Sequence, residues 1–212
     1  MTSLPTQIDV PPEGQPISIE SPNYWLRSLG VFDAGAKLLG WLNDAQMLEG
    51  LNLDNLNFTP ESLRQFIEGF NNRNSYILGI FSKDQEAMIG FLTIDIDHRH
   101  RMGRLTAGLG DKTFWGKDVF YEIGLALRDF FFAHRDVEKL SAYVLEHNRR
   151  MIFNFIGSPD YAFEACLKKE CRMLDGTRAD LLVFSALKEN WPSTSREDEK
   201  YRELRANKGK GK

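Results

Sequence analysis

The sequence predicts an α/β domain in which strands and helices interleave around one sheet. Three observations carry that prediction. Short β-rich runs alternate with amphipathic helical segments from residue 24 to residue 187. Thr59-Pro60-Glu61 is a helix start, with a capping hydroxyl, proline at the first position and an acid in the first turn. The run Lys112-Thr113-Phe114-Trp115-Gly116-Lys117-Asp118 joins an apolar strand segment, 105–109, to a long amphipathic segment, 119–134.

The elements follow in order. Residues 1–22 hold Pro5, Pro11, Pro12, Pro16 and Pro22 with little apolar periodicity, which predicts an extended arm that is ordered only where it docks. A first strand is expected over 24–29. Asp33 stands at an N-cap position ahead of Ala36, Leu38, Leu39 and Leu42, the apolar face of a helix. Behind Thr59, the residues Leu63, Phe66, Ile67 and Phe70 recur at helical spacing, so one face is buried. Two β-rich runs, 76–81 and 87–95, flank the polar turn Ser82-Lys83-Asp84-Gln85-Glu86. A second polar turn over 98–102 leads into the strand at Leu105, and the helix from Val119 buries Ile123, Leu127 and Phe130. A strand over 139–145 and a short helix over 148–156 come next. Strands over 163–172 and 179–187, joined by the turn Asp175-Gly176, close the domain. Residues 192–212 are dominated by Arg, Glu, Lys and Gly and read as a solvated tail. The expected organisation is thus an arm (1–22), one domain (23–191) and a tail (192–212).

Bulk properties narrow the function. With 212 residues and 42% apolar content the chain buries one good core. A formal charge of −3 gives no electrostatic case for nucleic acid. No apolar run approaches the roughly 20 residues that span a bilayer, and no signal peptide is expected, which predicts a cytoplasmic protein without a membrane partner. Cys166 and Cys171 are too few for a disulfide framework and read as reduced thiols. His98 and His100 lack an anchored third ligand, so no metal site is expected.

The sharpest local signal is the passage from strand to helix at Trp115-Gly116-Lys117. A helix N-terminus leaves backbone N–H groups without intrahelical partners, and these groups with the positive end of the dipole make a seat for phosphate.

Several positions, in order, resemble a known family. Asp33-Ala34 is followed by Trp41-Leu42-Asn43-Asp44, and Ile89-Gly90 by Ile94-Asp95. Trp115-Gly116-Lys117 then precedes Glu122, Asn148 opens the short helix, Glu164-Ala165 follows it, and Asp175-Gly176 with Asp180 lead the last strand. The set resembles the RimJ/RimL-like branch of the GNAT acyltransferase superfamily over roughly residues 24–191. The resemblance implies the GNAT fold: a single mixed central sheet, splayed between its fourth and fifth strands and flanked by helices. It implies an N-acetyltransferase that moves an acetyl group from acetyl-CoA to a primary amine by direct attack in a ternary complex. The acceptor would be a small-molecule amine, an amino sugar, a polyamine or a protein N-terminus, and a homodimer is compatible. By the same resemblance, the backbone of Leu105, Ala107 and Leu109 pairs with pantetheine. Trp115, Gly116, Lys117, Asp118, Val119 and Phe120 hold the diphosphate, and Asn148 bridges the opened strands or meets the cofactor. The hairpin residues Asp95, Asp97 and His98 lie near the acceptor.

Four positions depart from the family pattern. Asp118 stands for a glycine of the phosphate loop, and its charge opposes a phosphate by about 4 kcal/mol at 4 Å under partial screening. Phe120 stands for a small residue, Phe155 for a tyrosine that protonates the leaving thiolate, and Leu105 for a glutamate that serves as base. Tyr161 is a candidate replacement for the lost hydroxyl. Glu122 is a second catalytic candidate that reads equally as a structural acid. The alternative function is a degenerate GNAT-fold binding or structural protein that does not use acetyl-CoA.

Overall fold

The computed structural model describes residues 12–51, 53, 57–156, 158 and 160–191. The first half of the expected arm and the tail over 192–212 lie outside the described residues. Within them the chain runs β1 (Ser18–Glu20), β2 (Tyr24–Ser28), α1 (Ala36–Leu42), α2 (Ala45–Leu51), α3 (Pro60–Glu68), β3 (Ser75–Ser82), β4 (Ala87–Asp97) and β5 (Met102–Leu109). It continues through α4 (Val119–His134), β6 (Lys139–Leu145), α5 (Arg149–Phe155), β7 (Ala162–Arg172) and β8 (Arg178–Leu187).

The strands form one mixed sheet in the order β1-β2-β3-β4-β5-β6-β8-β7. β1 to β5 make an antiparallel meander, α4 carries the chain across, and β6 joins β5 in parallel. Strand alternation explains the two layers. Tyr76, Leu78 and Ile80 point to a core shared with Ile123, Leu127, Phe131 and Phe132 of α4. Ile77 and Phe81 point the other way, onto Leu38, Leu42, Leu63 and Ile67 of α1 and α3.

The parallel pairing of β5 with β6 runs only from Met102↔Lys139 to Leu105↔Ala142. Beyond that rung the strands part, leaving an open V. These are the fourth and fifth strands when counting starts at residue 24, so the expected splay lies where the resemblance puts it.

The structure corrects four local expectations. The end of the proline-rich segment is part of the folded body: β1 pairs with β2, and Ile17 and Ile19 are buried. Asp33 does not cap α1, because Arg27 holds both its oxygens at 2.8 and 2.6 Å and the Gly30 N–H donates to it at 2.9 Å. Gly35 is the N-cap instead, without a side-chain bond. Phe130 is only partly buried in α4, and Phe131 and Phe132 take the inward positions. The helix α2 was not expected. Asp44 starts it, its carboxylate accepting from the Met47 N–H at 2.9 Å. Thr59 caps α3 as expected, accepting from the Ser62 N–H at 3.1 Å. No described helix is long and apolar enough to cross a membrane.

Candidate functional site

A cleft of about 1110 Å³ opens where β5 and β6 diverge. Leu105, Ala107 and Leu109 form one wall, and Val144 and Leu145 of β6 form the other. The first turns of α4 and residues of α5 close one side, and α1 and α2 close the opposite side. Two glycines let α1 and α2 approach the end of β5. A Cβ on Gly108 would sit 2.6 Å from the Met47 sulfur, and one on Gly110 would fall 1.9 Å from the Trp41 ring. A side chain at Gly110 would have to displace the Trp41 ring, whereas one at Gly108 would push on the flexible end of Met47.

The loop between β5 and α4 is built from local bonds. Asp111 accepts from the Thr113 N–H at 3.1 Å and its hydroxyl at 2.7 Å. The Thr113 hydroxyl bond is the main reason its carboxyl lies below the usual carboxylate range. The Trp115 indole N–H donates to the Leu109 carbonyl at 2.9 Å, clamping the loop to the strand. Gly116 at φ +78° and Asp118 at φ +54° take left-handed conformations that turn the chain into α4. Asp118 thus adopts the backbone geometry that a glycine would supply, at modest cost. It is the N-cap of α4, and its side chain makes no capping bond. The 16-residue helix behind it presents an N-terminal dipole to the cleft. Cations surround this seat: Arg150 lies 4.3 Å and Lys112 5.5 Å over the Trp115 ring, and Lys117 lies 4.7 Å over Phe114.

Asn148 lines the cleft and ties two of its walls. Its side-chain oxygen caps α5 through the Met151 N–H at 3.2 Å, and its amide donates to the Gly50 carbonyl of α2 at 3.2 Å. Phe155 packs against Phe184 at 4.9 Å and against Tyr161 at 5.1 Å. Tyr161 also lines the cleft, is 8% exposed, and its hydroxyl has no hydrogen-bond partner among the described residues. Burial pushes that hydroxyl well above its ordinary pKa, with Arg128 working against the shift. The neighbouring Asp160 is buried in an ion pair with Arg128, which removes it from acid–base work.

Other predicted site residues lie elsewhere. Glu122 faces away from the cleft, accepting from the Ser21 hydroxyl at 2.6 Å, the Asn23 N–H at 2.7 Å and the Asn23 amide at 2.8 Å. It fastens the β1–β2 turn to α4. Asp97 and His98 sit at the β4–β5 turn, at the closed end of the V. Asp97 accepts from the His100 N–H, and His98 bonds the Asn74 oxygen at 3.1 Å. Asp95 pairs across β4–β5 with Arg104, one strand away from the cleft wall. The sequence reading missed Arg104, Tyr143, Arg150, Trp41 and Met47, which all line the cleft. The Gly108 and Gly110 positions were the available signal for the last two.

The geometry offers an apolar slot edged by unpaired strand backbone, with the left-handed loop and the first turn of α4 at one end. Among the described residues, the acids that line the cleft are Asp44, Asp118, Asp160 and Glu170, and no histidine lines it. Comparison with known proteins fits this arrangement. The family model described as an acetyltransferase (GNAT) domain matches residues 25–152. No curated protein sequence matches the chain. Among solved structures, a probable acetyltransferase superposes with a TM-score of 0.72 at 16% identity, covering 82% of this chain and 99% of its own. A Salmonella typhimurium acetyltransferase that modifies the N-terminal serine of ribosomal protein L7/L12 gives 0.69 at 18% identity, covering 81% and 99%. The Vibrio cholerae spermidine N-acetyltransferase, solved with CoA and spermine, gives 0.70 at 15% identity, covering 79% and 96%.

Proposed function

The chain belongs to the GNAT acetyltransferase family, and on that premise we propose that it moves an acetyl group from acetyl-CoA to a primary amine. The amine attacks the thioester directly within a ternary complex. The observation that carries this proposal is the splay of β5 from β6 beside a left-handed loop at the start of α4. Pantetheine would lie along the edge of β5 over 106–109, beyond the Leu105↔Ala142 rung, as an added strand, and the diphosphate would meet the amides that open α4. Trp115, Gly116, Lys117, Asp118, Val119 and Phe120 shape that seat through their main chain. Arg150 and Lys112 stand close enough to Trp115 to add charge.

The reaction forms the amide N–C bond and breaks the C–S bond. The amine's proton leaves as the tetrahedral species collapses and ends on the CoA sulfur. In this proposal the amine enters already neutral, and position supplies much of the rate. Tyr161 would donate a hydrogen bond to the departing sulfur. Full proton transfer from it is uphill, since a free thiol titrates near about 8.5 and burial raises the phenol. Its role is stabilisation of the leaving thiolate, with the proton arriving from the amine.

The non-catalytic alternative drew on Asp118, Phe120 and Phe155. Asp118 keeps the loop geometry, and Tyr161 offers a hydroxyl beside Phe155, so two of its three supports are weakened. Isothermal titration with acetyl-CoA is the test. Binding in the micromolar range is expected, and no heat at millimolar ligand would refute the proposal.

A further inference from the structure

We propose that Arg104 sets acceptor charge preference, favouring amines that carry an anionic group and rejecting polycations. The inference rests on the acetyl-transfer reading above and deepens it. Arg104 pairs with Ser141 one rung before β5 and β6 part, which puts it at the apex where an attacking amine meets the thioester. Its side chain does not turn to Asp95, its cross-strand partner on β4. It lies instead over the Tyr143 ring, with the guanidinium carbon 4.8 Å from the ring centre. The guanidinium is therefore packed against an aromatic ring, and it makes no ion pair with a carboxylate among the described residues.

A planar, permanently charged fork held in this way matches a carboxylate or phosphate edge-on. The aromatic face fixes its orientation, so less freedom is lost when an anion docks. The other acids lining the cleft are differently engaged or placed. Asp44 caps α2, Asp160 is paired with Arg128, and Asp118 lies at the opposite, cofactor end. Glu170 stands on β7, separated from β5 by β6 and β8. Asp95 remains the nearest counter-charge and moderates the effect. A polyamine would bring a second ammonium toward Arg104, with Asp95 one strand away as the acid to offset it among the described residues.

Steady-state acetyl transfer by the full chain tests this on four acceptors: the tripeptides Ser-Asp-Ala and Ser-Lys-Ala, phosphoethanolamine and spermidine. The anionic acceptors are expected to exceed the cationic ones about tenfold in kcat/KM, a screened charge effect. The tripeptide arm and the phosphoethanolamine arm tell whether carboxylate or phosphate is the better anion. Arg104→Gln should erase the preference, Arg104→Glu should invert it, and Arg104→Lys should keep part of it. Calorimetric affinity for acetyl-CoA should be the same in all four proteins, which also reports folding. Where turnover is too slow, acceptor binding to the CoA-loaded chain gives the same order. A wild-type preference for spermidine, or a ratio untouched by Arg104→Gln, overturns the inference while acetyl-CoA binding stands. Failure of acetyl-CoA to bind overturns the acetyl-transfer reading itself.

Discussion

Tyr161 and Phe155 lie ring against ring, and only one of them carries the oxygen that the leaving sulfur can use. Replacing Tyr161 by Phe keeps the packing and removes the donor. General acid–base or hydrogen-bond assistance is worth about a hundredfold or more for poor leaving groups, and less for a thiolate. Tyr161→Phe should therefore lower kcat about tenfold with acetyl-CoA affinity unchanged, and an unaltered kcat would remove Tyr161 from the chemistry. Asp118 poses a different residue-scale question. It occupies a left-handed position at the mouth of α4, where a glycine would relieve both backbone cost and charge. In Asp118→Gly, titration should show acetyl-CoA binding tighter by about tenfold, a partly screened version of the Coulomb repulsion. An unchanged constant would mean that the carboxylate already points away from the ligand. Glu122 resolves toward the structural of its two readings: its partners Ser21 and Asn23 lie about a hundred positions upstream, beyond any local pattern.

At the scale of elements, periodicity made most boundaries readable. The helix at 119–134, the strand at 139–145 and the cap at Asn148 all stand where the sequence places them, because each has a full apolar period and a clear terminus. β1 escaped because three residues between prolines carry too little pattern, and its burial depends on pairing with β2. α2 escaped because seven residues, about two turns, beside α1 give no separate period. At the bulge of the long edge strand β7, one side chain reaches across the hairpin. Asp180 accepts from Lys168 at 2.5 Å and from the Lys169 N–H at 2.8 Å, pinning the bulge where Lys169 turns left-handed. The Lys168 bond, then the Lys169 amide, hold the Asp180 pKa down to about 2. A depressed carboxyl stabilises the fold above its unfolded value near about 3.9 and loses that contribution as pH falls through its folded value. Asp180→Asn should therefore melt below wild type at pH 7. The gap should close between pH 4 and pH 2 in a thermal scan, and a gap independent of pH would show that charge is not the cause.

Over the whole molecule, the proposed cofactor half of the site is continuous in sequence and the proposed acceptor half is not, for a physical reason. The proposed phosphate seat is one continuous stretch, so strand, turn and helix start announce it together. The proposed acceptor half gathers Trp41, Met47, Arg104 and Tyr143 from four separate elements. No window of sequence contains that gathering. The same architecture has a mechanical side. Among the described residues, four rungs of parallel pairing, Met102↔Lys139 to Leu105↔Ala142, are the strand ladder that joins the plate of β1–β5 to the plate of β6–β8. A ligand wedged beyond that short seam would act as mortar between two slabs, so occupancy and rigidity of the molecule should rise and fall together.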